Sequence, residues 1–130
     1  MVEPMPMPES WYTPARVRVL LRLLPYYVER APRLRWSEPL VHGGRRYSNS
    51  DEWWWDVRGD LLAAVDRLGY TERIIVEICT IGGQPYRAVA ARLGMSPSSV
   101  WRAERRAVEE IAYRLGWEPD AEECSRSGGQ

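Results

Sequence analysis

The five residues Leu93-Gly94-Met95-Ser96-Pro97 restrict this chain more than any other stretch. Gly94 can take the left-handed conformation that ends a helix without a Cβ penalty, so it closes a helix read from Pro85 to Leu93. Ser96 then caps a second helix, and Pro97 fits its first position, where a missing N–H costs nothing. The chain must leave one helix and enter the next across a tight turn. The inward positions agree with this. Val89, Ala90 and Leu93 form a stripe on the first helix, and Val100, Ala103, Ala107, Val108, Ile111 and Leu115 continue one on the second, read as 96–116. Ala90 sets the geometry, because a small residue there lets two helix backbones approach at the steep crossing of a helix-turn-helix.

The opposite face carries the chemistry. Ser98, Ser99, Trp101, Arg102, Arg105 and Arg106 are read on the outer side of the second helix, with Arg87 and Arg92 on the flank of the first. In a helix-turn-helix the second helix enters the major groove with its N-terminal residues at base edges, while the first crosses the backbone. Arg102 is the leading base reader, since a guanidinium fork bonds a guanine edge bidentately. Ser96, Ser98, Ser99 and the first-turn N–H groups suit phosphate or base contacts, and Arg87, Arg105 and Arg106 suit phosphates. The competing reading is a small helical hairpin with a solvated charged face. The spacing of Ala90, Gly94, Ser96 and Val100 is more demanding than that reading requires.

Charge enters as local blocks, because the formal net charge of the 130 residues is zero. Residues 14 to 46 carry eight Arg against two acids and residues 84 to 117 six Arg against three acids. Between them, residues 47 to 72 carry two Arg against six acids, and the stretch from 118 onward one Arg against four acids. Folding can bring the two basic blocks to one surface. All 18 basic residues are Arg, a bias that fits a GC-rich coding sequence as well as phosphate recognition. Cys79 lies in an apolar run and Cys124 in a polar one, and the single His is His42; no zinc site, disulfide framework, metal or cofactor is expected. The first residues, MVEPMPMPES, lack a basic region followed by an apolar run, and no segment has the length of a membrane span. The expected location is the cytoplasm.

Taken in order, residues 1–13 carry three Pro and are expected to be extended or disordered, tied down by Trp11 and Tyr12. Thr13 caps a helix with Pro14 in its first position and Val17, Leu20, Leu21, Leu24 and Val28 as its stripe; Pro25 should kink or split it near Leu24. Arg16, Arg18 and Arg22 line the other side, as a solvated face or as phosphate contacts. Residues 31–50 read as a long loop in which Arg33, Arg35, Arg45 and Arg46 alternate with Trp36, His42 and Tyr47, a composition able to clamp a nucleic-acid backbone.

Asn49 or Ser50 caps a helix that opens on Asp51 and Glu52, where the dipole favours acids. Trp53, Trp54 and Trp55 cannot all face one core, since successive helical positions diverge by about 100°. The stripe there is Trp54, Val57, Leu61, Leu62, Val65 and Leu68, and the tryptophans are read as an aromatic core that docks the N-terminal helix rather than as a partner surface. Thr71 caps a helix from Glu72 to Ile81 with Ile74, Ile75, Ile78 and Cys79 apolar, ended by Gly82 and Gly83. The fold class is therefore all-α: N-terminal helical region 14–70 packed on a three-helix DNA-binding unit, 71–117, with an acidic, disordered tail at 118–130.

The run from Glu72 to Trp117, ERIIVEICTIGGQPYRAVAARLGMSPSSVWRAERRAVEEIAYRLGW, resembles the C-terminal half of phage late transcription regulators of the RinA and ArpU type, themselves similar to region four of sigma factors. The shared pattern is an apolar helix (Ile74 to Ile81), a glycine loop (Gly82 to Gln84), a helix ending Leu93-Gly94, a Ser-capped recognition helix from Ser96 to Arg106, and its apolar continuation from Ala107 to Gly116. Before it, Leu24-Pro25-Tyr26, a Ser-rich loop and a second helix at 51 to 68 fit the layout more loosely, whereas Trp53 to Trp55, Trp101 and the Arg-rich loop lie outside the pattern. The resemblance implies a sequence-specific binder of double-stranded DNA that activates or antiterminates late transcription, with RNA polymerase as a second partner.

No constellation for catalysis is present: no paired carboxylates in a plausible pocket, no nucleophile with a base, no phosphate-binding glycine loop, so the chain is read as a non-enzyme. Two other readings use the same fold. A polymerase-binding adaptor would hold protein rather than DNA, with Trp101 as its anchor, and a small terminase subunit would assemble as a large ring. One helix-turn-helix offers one half-site, and a homodimer would double the contacts.

Overall fold

The computed structural model describes residues 12–32, 41–42, 45–46 and 50–118, with backbone only at 41–42, 45–46 and 50. The expectations for residues 1–11, for Trp36, for the Asn49 cap and for the acidic tail lie outside the described residues. Apart from one two-residue ribbon, the described regular structure is helical: α1 (Pro14–Leu23), β1 (Val41–His42), β2 (Arg45–Arg46), α2 (Ser50–Asp66), α3 (Tyr70–Ile75), a π-helical segment (Val76–Ile81), α4 (Tyr86–Leu93) and α5 (Pro97–Arg114). The chain is all-α in class.

Local chemistry sets most of the helix ends. Thr13 accepts the N–H of Arg16, with Pro14 as the first helical residue. Pro25 stops α1 rather than kinking it, because its ring excludes the preceding turn and it has no N–H to donate. Tyr26 and Tyr27 instead donate their N–H groups to the Leu23 carbonyl, and the chain turns away from the helix axis. Leu24 stays buried, but Val28, expected on the helical stripe, lies beyond the helix and is exposed. The loop read over 31–50 contains the antiparallel ribbon, Val41 opposite Arg46 and His42 opposite Arg45.

In α2, Trp53 and Trp54 are buried while Trp55 is 49% exposed, as a 100° step requires. The Trp54 indole N–H donates to the Tyr27 carbonyl at 2.6 Å, and Asp51 accepts the Ala31 N–H at 2.7 Å, so the start of α2 holds the turn that follows α1. Ser50 belongs to the helix rather than preceding it. Leu62, assigned to the stripe by spacing, is exposed; Trp53 and Ala64 take the inward places beside Val57, Leu61, Val65 and Leu68.

The helix expected from Glu72 to Ile81 differs most. It begins at Tyr70 with Gly69 at the N-cap, so Thr71 lies inside its first turn, and it widens after Ile75 into a π-helix. The Gly82 N–H reaches back five residues to the Glu77 carbonyl at 2.9 Å. Glycine is required there: a Cβ on Gly82 would sit 2.7 Å from the Ile78 carbonyl oxygen and 3.0 Å from that of Glu77. The wider turn places Val76 and Thr80 in the interior with Ile75 and Cys79, whereas Ile74 and Ile78 are only partly covered.

Two apolar clusters result. One joins Tyr12, α1, α2, Val76 and the second half of α5 (Ala107, Val108, Ile111, Ala112). The other joins Ile75 and Cys79 to Val89 and Ala90 of α4 and to Val100 and Ala103 of α5. The helix α5 spans both, so the N-terminal half of the chain packs directly on the helix that carries the candidate site. It ends at Arg114, two residues earlier than read, with Gly116 at positive φ beyond it and the Trp117 N–H on the Ala112 carbonyl. Leu115, expected on the stripe, is accordingly only partly buried.

Candidate functional site

The turn between α4 and α5 forms as its residues dictate. Pro85 is the N-cap of α4 rather than its first residue. Gly94 sits at φ 66° and ψ 34°, and the N–H groups of Gly94 and Met95 both return to the Ala90 carbonyl, satisfying the end of the helix. Ser96 then caps α5 by accepting the Ser99 N–H at 3.1 Å. Ala90 is buried between the two helices with Val89, Val100 and Ala103.

The predicted residues of α5 fall on one solvent-facing side. Ser98, Trp101, Arg102, Arg105 and Arg106 are exposed, while Val100, Ala103, Glu104, Ala107, Val108 and Ile111 point inward. Arg87 is exposed on α4. Two details alter the expected roles. The Ser96 hydroxyl donates to Ser99 Oγ at 2.9 Å, so these two side chains serve the cap and Ser98 is the serine that projects freely outward. Arg105 lies 3.4 Å from Glu109 and 5.6 Å from the centre of the Trp101 ring, which leaves its charge partly compensated and Trp101 partly covered. Among the described residues, Arg87, Arg102 and Arg106 have no ion-pair partner.

Behind this face stands a group of residues that spacing did not reveal. Glu104 is 1% exposed. Its Oε1 accepts from Arg18 Nη1 at 3.0 Å and from the Tyr86 hydroxyl at 2.7 Å, and its Oε2 accepts from the Thr80 hydroxyl at 2.7 Å. A carboxylate at such a position is tolerated only when paired and hydrogen-bonded, and here α1, the π-helix and α4 each supply a donor. Arg18 is thereby turned inward, not part of an outer basic row. Burial raises the pKa of the Tyr86 hydroxyl, and its hydrogen bond to Glu104 adds to the rise. Burial raises that of the Cys79 thiol in the same way, followed by the charge of Glu104. The sequence held a signal: Glu104 lies four residues from both Val100 and Val108, on the apolar stripe itself.

The same seam opens to solvent as a cleft of about 490 Å3, with Thr80, Tyr86 and Glu104 in its wall and Arg22, Tyr26 and Gln84 around it. Among the described residues no three His, Cys, Asp or Glu side chains are grouped to hold a metal ion, and no helix is long and apolar enough to cross a membrane. Compared with protein-family models, with curated proteins and with solved structures, the chain matches none.

Proposed function

We propose that this chain is a sequence-specific DNA-binding transcription regulator that lays α5 in the major groove, in the manner of phage late-gene activators and antiterminators. The observation that carries this reading is the outward face of the first turns of α5. Ser98, Arg102 and Arg106 are exposed there without ion-pair partners among the described residues, on a helix whose other side is held by two core clusters. Base recognition needs side chains held on a rigid element with their donors unspent. The α4–Gly94–Ser96–α5 connection fits a helix-turn-helix, in which α4 crosses the backbone and Arg87 and Arg106 meet phosphates. Arg102, on the second turn, is the proposed guanine reader.

The test is selection from random duplex DNA on the full chain at about 150 mM salt, where purely electrostatic binding is weakened. A motif enriched over the input is the expected result, and a palindrome in it would mark a homodimer on two half-sites. A pool that stays random overturns the reading. One observation favours a second reading: Trp101 is 42% exposed in the centre of the same face, stacked with Arg105, as an anchor for a protein partner would be. In that case the chain is an adaptor on RNA polymerase, and nuclease-treated polymerase retains it.

A further inference from the structure

We propose that α1 supplies a DNA-backbone contact of its own through Arg22, from the cleft whose lining the end of α1 shares with the start of α4; this rests on the DNA-binding reading above. Spacing presents Arg16, Arg18 and Arg22 as one row, and the fold separates them. Arg18 is committed to Glu104 at 3.0 Å. Arg16 is half-buried next to the α1 cap. Arg22 is exposed, has no ion-pair partner among the described residues, and lines the 490 Å3 cleft with Gln84, Pro85 and Tyr86. The acid in that cleft, Glu104, is already matched by Arg18 and two hydroxyls, so it does not serve as the counter-ion of Arg22.

The position of the cleft relative to a duplex follows from helix length. The eight residues of α4 span about 12 Å at 1.5 Å per residue. That is about the width of the major groove. With the first turn of α5 between the strands, the far end of α4, where Pro85 and Tyr86 border the cleft, comes level with a phosphate strand. A guanidinium fork there matches a phosphodiester oxygen pair, and the exposed Gln84 amide adds a neutral donor. The N-terminal half of the chain then takes part in binding rather than only bracing α5.

The experiment measures Kd of the full chain for its selected duplex and for a scrambled duplex across about 50 to 300 mM salt, and takes the slope of log K against log salt. Arg22→Ala is expected to weaken both duplexes equally and to reduce the slope by about 0.9, the value of one phosphate contact. Arg22→Lys should retain the slope, because a point charge still serves a phosphate. Arg58→Ala is the control: it lies on α2, which packs on the second half of α5, and it should leave the slope unchanged. An unchanged slope in Arg22→Ala beside intact wild-type binding overturns this proposal alone, as does an equal loss in Arg58→Ala. Absence of duplex binding by the wild type overturns the DNA reading as well.

Discussion

Arg18 on α1 and Glu104 on α5 are separated by 86 positions in the chain and meet at 3.0 Å, with the glutamate buried and the arginine partly open to solvent. Glu104 also accepts hydrogen bonds from the hydroxyls of Thr80 and Tyr86, so one carboxylate fixes three other elements against the helix proposed to read DNA. Removing the glutamate leaves the buried Thr80 hydroxyl and the Tyr86 hydroxyl without their acceptor, while Arg18 is already partly open to solvent. Glu104→Ala is therefore expected to cost about 1 to 3 kcal/mol for each hydroxyl left unpaired, read by urea unfolding. A double-mutant cycle with Arg18→Ala should return a coupling of about 0.5 to 3 kcal/mol, and additivity would show that the pair does not interact.

The raised pKa of Tyr86 makes stability depend on alkaline pH. The folded state keeps a proton that the unfolded state releases above the ordinary tyrosine value of 10.0, so stability is full below that value and is lost as pH rises through the folded pKa. Cys79 behaves the same way from its ordinary value of 9.0 upward. Tyr86→Phe is expected to cost about 1 to 2 kcal/mol at neutral pH, through the lost hydrogen bond to Glu104, and to flatten the decline above pH 10 while sparing the part that starts near 9. Equal slopes for the variant and the wild type in that window would remove Tyr86 as the cause.

The three adjacent tryptophans should separate cleanly in stability. Trp53 is 1% exposed in the larger cluster, and Trp53→Ala is expected to cost about 3 to 5 kcal/mol through lost contacts and a residual cavity. Trp55 is 49% exposed and lies 5.7 Å from the Arg58 guanidinium, so Trp55→Ala should cost less than about 1 kcal/mol. Comparable losses in thermal unfolding would mean that the two do not differ in burial.

Arg102→Ala is expected to weaken binding to the selected duplex by about 1 to 3 kcal/mol and to relax preference at one base pair, read by repeating the selection on the variant. Equal weakening on every duplex would instead make Arg102 a phosphate contact. Because the side chain is exposed, its removal should leave the melting temperature unchanged.

What the sequence determined by itself is what depends on a few neighbouring residues. Thr13 with Pro14, Gly94, and Ser96 with Pro97 place helix ends through caps and allowed dihedrals, which are local backbone energetics. The outward side of α5 was equally legible, because a 3.6-residue period assigns Ser98, Trp101, Arg102, Arg105 and Arg106 once Val100 and Ala103 are taken as core. Only the tertiary structure decided the fate of the polar residues among them. The apolar stripe runs through Glu104, but whether a carboxylate can stay there depends on donors 86, 24 and 18 positions away, and no local pattern encodes such partners. The same holds for Arg18, which spacing put on a solvated face, and for the π-helical turn, whose widening brings Thr80 to Glu104. Periodicity registers which residues share a face; long-range packing and charge compensation decide which face is buried and which arginines are left to meet a partner.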